Sequence, residues 1–272
     1  MAIGDISLTL SARSNLLSLQ STENLLKITQ ERLATGKKIN SSLDGASAFF
    51  TSRSFLDRAS DLATVKDNLG TALKTVEAAT DALEAIEDLV AQAKAKLDEA
   101  KTKLTGERTA LITEVNELRD QIDALVNDAK FNGTNLLNST ATTLSVKFNE
   151  TGTSTLSVTG VSVTATGLGF SSITASSHGD STLDTSLSQL TTALTTLRNN
   201  ASTFGNKADI ITTRQDFTSN FITTLQEASD GLVLADLNEE GANLQALQAR
   251  QQLGVVSLGI SGQSVQSILR LF

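Results

Sequence analysis

Side chains able to do chemistry are sparse in this chain, and none stands in a catalytic pattern. His178 is the only histidine, set in the polar run Ser176-Ser177-His178-Gly179-Asp180. One imidazole cannot supply a two-histidine zinc site, and Ser/His/Asp catalysis would need it as base with no nucleophile-elbow pattern nearby. A solvated loop histidine is the simpler reading. Gly36-Lys37-Lys38 lacks the upstream glycine and the hydroxyl residue after Lys that a phosphate-cradling loop requires. Carboxylates at Glu84, Glu87, Asp88, Asp98 and Glu99 recur at helical spacing outside the apolar positions, as expected for a solvated helix face and not for an acid/base pair. With no cysteine, disulfide and thiolate chemistry are excluded. The Asn-x-Ser/Thr triplets at Asn132, Asn138 and Asn149 are what a Ser/Thr-rich stretch contains by chance. The chain therefore reads as neither an enzyme nor a cofactor protein: catalytic, cofactor and metal residues are all expected to be absent.

The elements carry the information instead. Leu62, Leu69, Val76, Leu83, Val90, Leu97 and Leu104 stand seven apart, and Val65, Ala72, Ala79, Ile86, Ala93 and Ala100 fill the intervening positions. That is a heptad seam, which demands a partner helix along its length. The pattern predicts one helix from about residue 46 to Leu104, on the order of 85 Å long, ended by Thr105-Gly106. Leu111, Val115, Leu118, Ile122, Leu125 and Ala129 predict a return helix, stopped by Asn132-Gly133. From about 139 to 178 Ser, Thr and Gly dominate. Leu144, Val146 and Phe148, then Leu156 and Val158, alternate with polar residues around an Asn149–Gly152 turn, which predicts a small antiparallel element. A phase change at Gly160 predicts a bulge or second turn; a Ser/Thr-rich segment without fixed structure is the competing reading. Heptads resume at Leu183 and run past Leu225, interrupted at Gln215 and Thr218.

Both ends carry weaker stripes. Leu8, Ala12, Leu16, Leu19, Leu26 and Leu33 form one, broken by Glu23 and Gln30. Leu237, Leu244, Leu247, Leu258, Val265, Ile268 and Phe272 form the other, with Gln251, Gly254 and Ser261 interrupting it. The two are expected to pair with each other, incompletely, until further partners cover them. Between the first stripe and the long helix, residues 35–45 read as a linker in which Ser42 or Asp44 caps the next helix. The fold class is thus mainly α: a long antiparallel, coiled-coil-like helical bundle with paired N- and C-terminal helices and a small antiparallel β insert.

Composition agrees. Among 272 residues there is no Trp, Tyr, Pro or Cys, so the core must be aliphatic and no helix is broken by proline. The net charge of −8 makes nucleic acid a poor partner. No apolar run approaches the length of a membrane span, so membrane insertion is not expected. The first residues show no basic region followed by an apolar core, so no cleaved signal peptide is expected either.

Four stretches, 36–46, 67–79, 128–137 and 235–272, together resemble bacterial flagellin, the filament subunit of the flagellum. Gly36-Lys37-Lys38-Ile39-Asn40-Ser41-Ser42-Leu43-Asp44-Gly45-Ala46 resembles the family's linker, and Asp67–Ala72 through Val76–Ala79 its long-helix motif. Asp128-Ala129-Lys130-Phe131-Asn132-Gly133-Thr134-Asn135-Leu136-Leu137 resembles its "FNG" signature, and Ala235–Glu240 through Ser264–Phe272 its ending. Gly45 and Ser47 depart from the linker pattern, and Gln263 precedes Ser264 without the family's proline.

The resemblance implies a homopolymeric, extracellular filament for swimming motility, exported unfolded through the flagellar type III apparatus without signal cleavage. An export chaperone, a cap and hook-associated proteins would be partners. A hook–filament junction protein of the same superfamily is the alternative. On this reading residues 1–40 are an inner-core helix and linker, 41–138 and 181–232 the two parts of a bundle domain, 139–180 a variable surface insert, and 233–272 the second inner-core helix. The polymerisation interface would comprise Leu16, Leu19, Leu26, Leu33, Leu237, Leu244, Leu247, Leu258, Val265, Ile268 and Phe272. Ile39, Asn40, Ser41 and Asp44, with Phe131, Asn132 and Gly133, would be linker and turn motifs. The stretch typically Arg-x-Arg-Glu, read by the vertebrate innate receptor, is here Gln92-Ala93-Lys94-Ala95, so Gln92, Lys94 and Ala95 form a degenerate site with weak or no recognition expected.

Overall fold

A computed structural model describes residues 10–174 and 179–269, of which residues 10–12 and 264–269 are described by backbone alone. Leu8, His178 and Phe272, and the side chains of Ala12, Val265 and Ile268, lie outside the described residues. The described residues form five helices and one hairpin, in chain order α1 (Leu10–Thr35), α2 (Ser42–Lys101), α3 (Thr105–Asp128), β1 (Thr143–Lys147), β2 (Thr155–Thr159), α4 (Asp180–Val233) and α5 (Leu237–Leu269). The mainly helical bundle with a small antiparallel insert is as expected. The chain forms two compact units: residues 58–223, and residues 1–57 with 224–272.

In the 58–223 unit the heptad seam of α2 is the core. Leu62, Leu69, Val76, Leu83, Val90 and Leu97 are buried, as are Val65, Ala72, Ala79, Ile86, Ala93 and Ala100. Each fully buried Leu, Val or Ile contributes about 1.5–3 kcal/mol before entropy is subtracted. The partners are α3 and α4. Lys66 Nζ donates to Ser219 Oγ (3.1 Å) and Arg198 pairs with Glu87 (2.7 Å), while Lys101 pairs with Asp184, so α4 runs antiparallel to α2. Leu183, Leu190, Leu197, Phe204 and Ile211 supply its buried face. On α3, Leu111, Ile112, Val115, Ile122 and Val126 are buried.

Leu104 departs from the expectation. α2 ends at Lys101, and Leu104, 81% exposed, precedes α3 as an extended residue whose carbonyl accepts from Arg108 N. Thr105-Gly106, expected to end the long helix, opens α3 instead. The cause is Arg108: its guanidinium donates to the Lys101 and Lys103 carbonyls (3.0 and 2.8 Å), satisfying acceptors left open at a helix C-terminus. At its other end α2 starts at Ser42, earlier than expected, with non-helical backbone at Gly45.

The described part of the insert, residues 139–174, is ordered. β1 and β2 pair antiparallel with Ser145 opposite Ser157. The connection is closed by Phe148 N to Ser154 O (2.8 Å) and by the Asn149 carboxamide, whose Oδ1 accepts from Ser154 N (3.1 Å). At Gly160 the chain leaves β2 and crosses to residues 136–138, with Val161 N donating to Leu136 O and Val163 N to Leu137 O. A Cβ on Gly160 would stand 2.6 Å from Ser139 O, so only glycine allows this crossing. Val146, Val158, Val163, Phe170 and Ile173 are buried in the same core as the α2 seam, which is why so small a sheet persists.

Candidate assembly site on the terminal helices

In the second unit, α1 and α5 lie side by side and antiparallel. Three contacts set the register: Asn15 Nδ2 to Ser257 Oγ (3.0 Å), Leu19 against Gly254, and Arg32 Nη1 to Glu240 Oε1 (2.9 Å). Gly254 is required by closeness, since a Cβ there would come within 2.7 Å of Leu19 Cδ1. The seam on α1 runs through Leu19, Thr22, Leu26, Thr29 and Leu33, and on α5 through Glu240, Leu244, Leu247, Gln251, Gly254, Leu258 and Ser261, all buried or half-buried.

Several expected positions move. The three/four step back from Leu19 lands on Asn15, so Leu16 stands off the paired face and is exposed. Glu23 and Gln30 are exposed too; Thr22 and the buried Thr29 interrupt the seam instead. Leu237, the first residue of α5, lies opposite the end of α1 and is exposed.

The linkers are joined. Ala235 N donates to Gly36 O (2.9 Å) and Lys38 N to Val233 O (2.8 Å), around a bridge between Lys37 and Leu234. Gly36, with φ of 69°, ends α1 in the left-handed conformation that glycine favours. The Asp44 carboxylate accepts from Ser41 N (2.9 Å), Asn40 N (3.1 Å) and Ser41 Oγ (3.0 Å). The backbone N–H groups of Ser41 and Asn40 hold its pKa below the ordinary carboxylate range, assisted by the Ser41 hydroxyl and Arg32. It thus ties the linker behind it, while Ser41 Oγ accepts from Leu43 N (3.3 Å). Ile39 is half-buried against Gly45. Further along α2, Ser52 shares a buried hydrogen bond of 2.8 Å with Ser229.

What remains outside the pair is apolar. Leu17 (62% exposed), Leu25 and Ile28 on α1, with Leu253 (69%), Val255, Val256 and Ile260 on α5, face away from the seam. Sequence patterning passes over them because it follows one stripe per helix. The available signal is the doubled apolar residues Leu16-Leu17, Leu25-Leu26 and Val255-Val256, since a helix apolar on more than one face has more than one partner.

Elsewhere, Phe131 and Thr134 exchange backbone hydrogen bonds (3.0 and 2.9 Å) around Asn132 and Gly133, both at positive φ, in a turn that closes α3. Gln92 and Ala95 are exposed on α2 and border a groove of about 510 Å³ with Glu114 of α3; Lys94 is half-buried. No group of metal-ligating side chains and no helix long and apolar enough to cross a membrane occurs among the described residues.

Residues 6–142 match the family described as the bacterial flagellin N-terminal helical region. Over their whole lengths, this chain and flagellin FljM of Caulobacter vibrioides are 36% identical. The chain belongs to the bacterial flagellin family. A flagellin of Brucella melitensis is 32% identical over 96% of each chain. The crystal structure of Bacillus cereus flagellin matches with a TM-score of 0.50 at 18% identity, covering 56% of this chain and 88% of that one, a likeness of fold. As a flagellin the chain is a structural subunit of the flagellar filament, which lies outside the cell, and not an enzyme.

Proposed function

We propose that the α1–α5 pair is the element through which this flagellin polymerises, and that the 58–223 unit is the self-sufficient body of the subunit. The observation that carries the reading is the apolar surface left outside an already paired α1 and α5, at Leu17, Leu25, Ile28, Leu253, Val255, Val256 and Ile260. Large exposed apolar surface marks an interaction site, and copies of the same pair are the natural cover in a homopolymer. Leu19, Leu26, Leu33, Leu244, Leu247 and Leu258 then hold the pair, while Leu16 and Leu237 join the outer surface. Replacing Leu253 and Val256 together by Asp tests this. Elongation from wild-type filament seeds, followed by light scattering and electron microscopy, is expected to stop while the 58–223 unit melts as before; unimpaired elongation would refute the assignment.

Resemblance to the family supports further proposals. The subunit leaves the cell unfolded through the flagellar type III apparatus without signal cleavage. It meets an export chaperone, a cap and hook-associated proteins on the way. Residues 139–180 form its outward insert. Gln92, Lys94 and Ala95, in place of the basic family pattern, give weak or no recognition by the vertebrate innate receptor. A reporter-cell titration with monomer checks the last point, and a strong response at low nanomolar protein would contradict it.

A further inference from the structure

Two motifs singled out in the sequence, at 67–72 and 128–137, meet on the surface of the 58–223 unit. Three recesses of about 680, 340 and 370 Å³ run into one another there along α2. The first two share Thr71 and Asn132; the second and third share Asn68 and Lys147. From Asp61 to Lys74 the trough follows on the order of 20 Å of helix at ~1.5 Å per residue. Its opposite wall is the 131–134 turn and strand β1.

Groups able to bind are left open along it. The Asn132 carboxamide has no hydrogen-bond partner among the described residues, and the Phe131 ring is partly exposed. Strand β1 has β2 on one side and no strand on the other among the described residues. Phe148 N to Ser154 O and Gly160 N to Thr142 O fix which residues bond across the hairpin. By alternation, Ser145 and Lys147 turn their backbone N–H and C=O away from β2, and both residues line the trough. An unpaired strand edge beside a groove is a ready docking surface.

We propose that this trough receives a segment of a second copy of the chain. The inference rests on the filament reading. Its length suits a polypeptide segment better than a small ligand. Its lining carries both signs, Lys66, Lys74 and Lys147 with Asp61, Asp67 and Glu150, which fits a protein surface of mixed charge and neither traps a cation nor tracks a phosphate backbone. Asn132 and Thr71 are exposed and are not needed by the subunit's own core. A trough on one subunit filled by a different part of the next is a heterologous contact, the kind that builds open helical polymers.

The absence of cysteine makes the test direct. A trace of Lys74→Cys, at the end of the trough and exposed, is labelled with a maleimide–benzophenone, mixed with excess wild-type chain and irradiated, once in filaments and once as dilute monomer. Covalent dimers are expected from filaments and not from monomer. In parallel, Thr71→Tyr fills the residue shared by two recesses; Thr71 is exposed and its hydroxyl bonds only back to the Asp67 carbonyl (3.2 Å). That variant is expected to keep the wild-type melting curve and to elongate from wild-type seeds about tenfold more slowly or worse. Labelled filaments that yield no dimer, or Thr71→Tyr elongating at the wild-type rate, overturn the proposal while the filament reading stands. A wild-type chain that forms no filament overturns both.

Discussion

At the scale of single residues, the linker shows how short-range chemistry sets a boundary. Asp44 accepts three hydrogen bonds from the two residues Asn40 and Ser41, and these hold its carboxyl below the ordinary range. A depressed folded-state pKa contributes stability that is present above the unfolded value and lost as pH falls through the folded one. The Ser41 amide resonance is therefore expected to titrate with a midpoint below the ordinary carboxylate range, and Asp44→Asn is expected to abolish that titration. A midpoint at or above the ordinary range would contradict the assignment. The presence of Asp44 and Ser41 in the linker is legible in the sequence, since short polar residues before an apolar repeat signal a helix start. Their direction is not: Asp44 turns back onto the linker because Ser41 and Asn40 offer free N–H groups there. Arg108 is a similar case. Nothing in its spacing announces that it satisfies the end of α2, and so the repeat alone extends the seam one step too far, to Leu104.

At the scale of elements, a seven-residue repeat can be read directly because every seam position from Leu62 to Leu97 is buried. The terminal stripes are less legible. Their seams include Thr22, Thr29, Gln251, Gly254 and Ser261, so polarity alone does not separate seam from surface there, and it puts Leu16, Glu23, Gln30 and Leu237 on the wrong side. The hairpin is legible from period-two alternation, but its burial is not, because that depends on the crossing at Gly160. The two seam leucines Leu83 and Leu104 make the contrast measurable. Leu83→Ala, at a buried site, is expected to cost about 2–5 kcal/mol in urea unfolding of the 58–223 unit. Leu104→Ala, at an exposed site, is expected to stay within about 0.5 kcal/mol of wild type. Equal losses would mean that the seam does reach Leu104.

At the scale of the whole molecule, the two units differ in what they bury for themselves. The 58–223 unit has a continuous aliphatic core that takes in the insert. The terminal unit has one thin seam, with threonine, glutamine, glycine and serine along it and apolar residues outside. A helix pair with so many polar and small residues along its seam is expected to open easily, and covering it with neighbours would couple its ordering to assembly. Fold class, helix order and the absence of a catalytic motif are all legible from residue spacing. The outer apolar face is not, because it emerges only once the pair has fixed which sides of α1 and α5 are used. The central claim is that this pair is completed by polymerisation. Amide hydrogen exchange compared between dilute monomer and filament tests it most directly. Residues 15–33 of α1 and 240–261 of α5 are predicted to exchange rapidly in the monomer and to become strongly protected in the filament, while the α2 seam from Leu62 to Leu97 is protected in both. Equal protection of α1 and α5 in the two states would contradict the account.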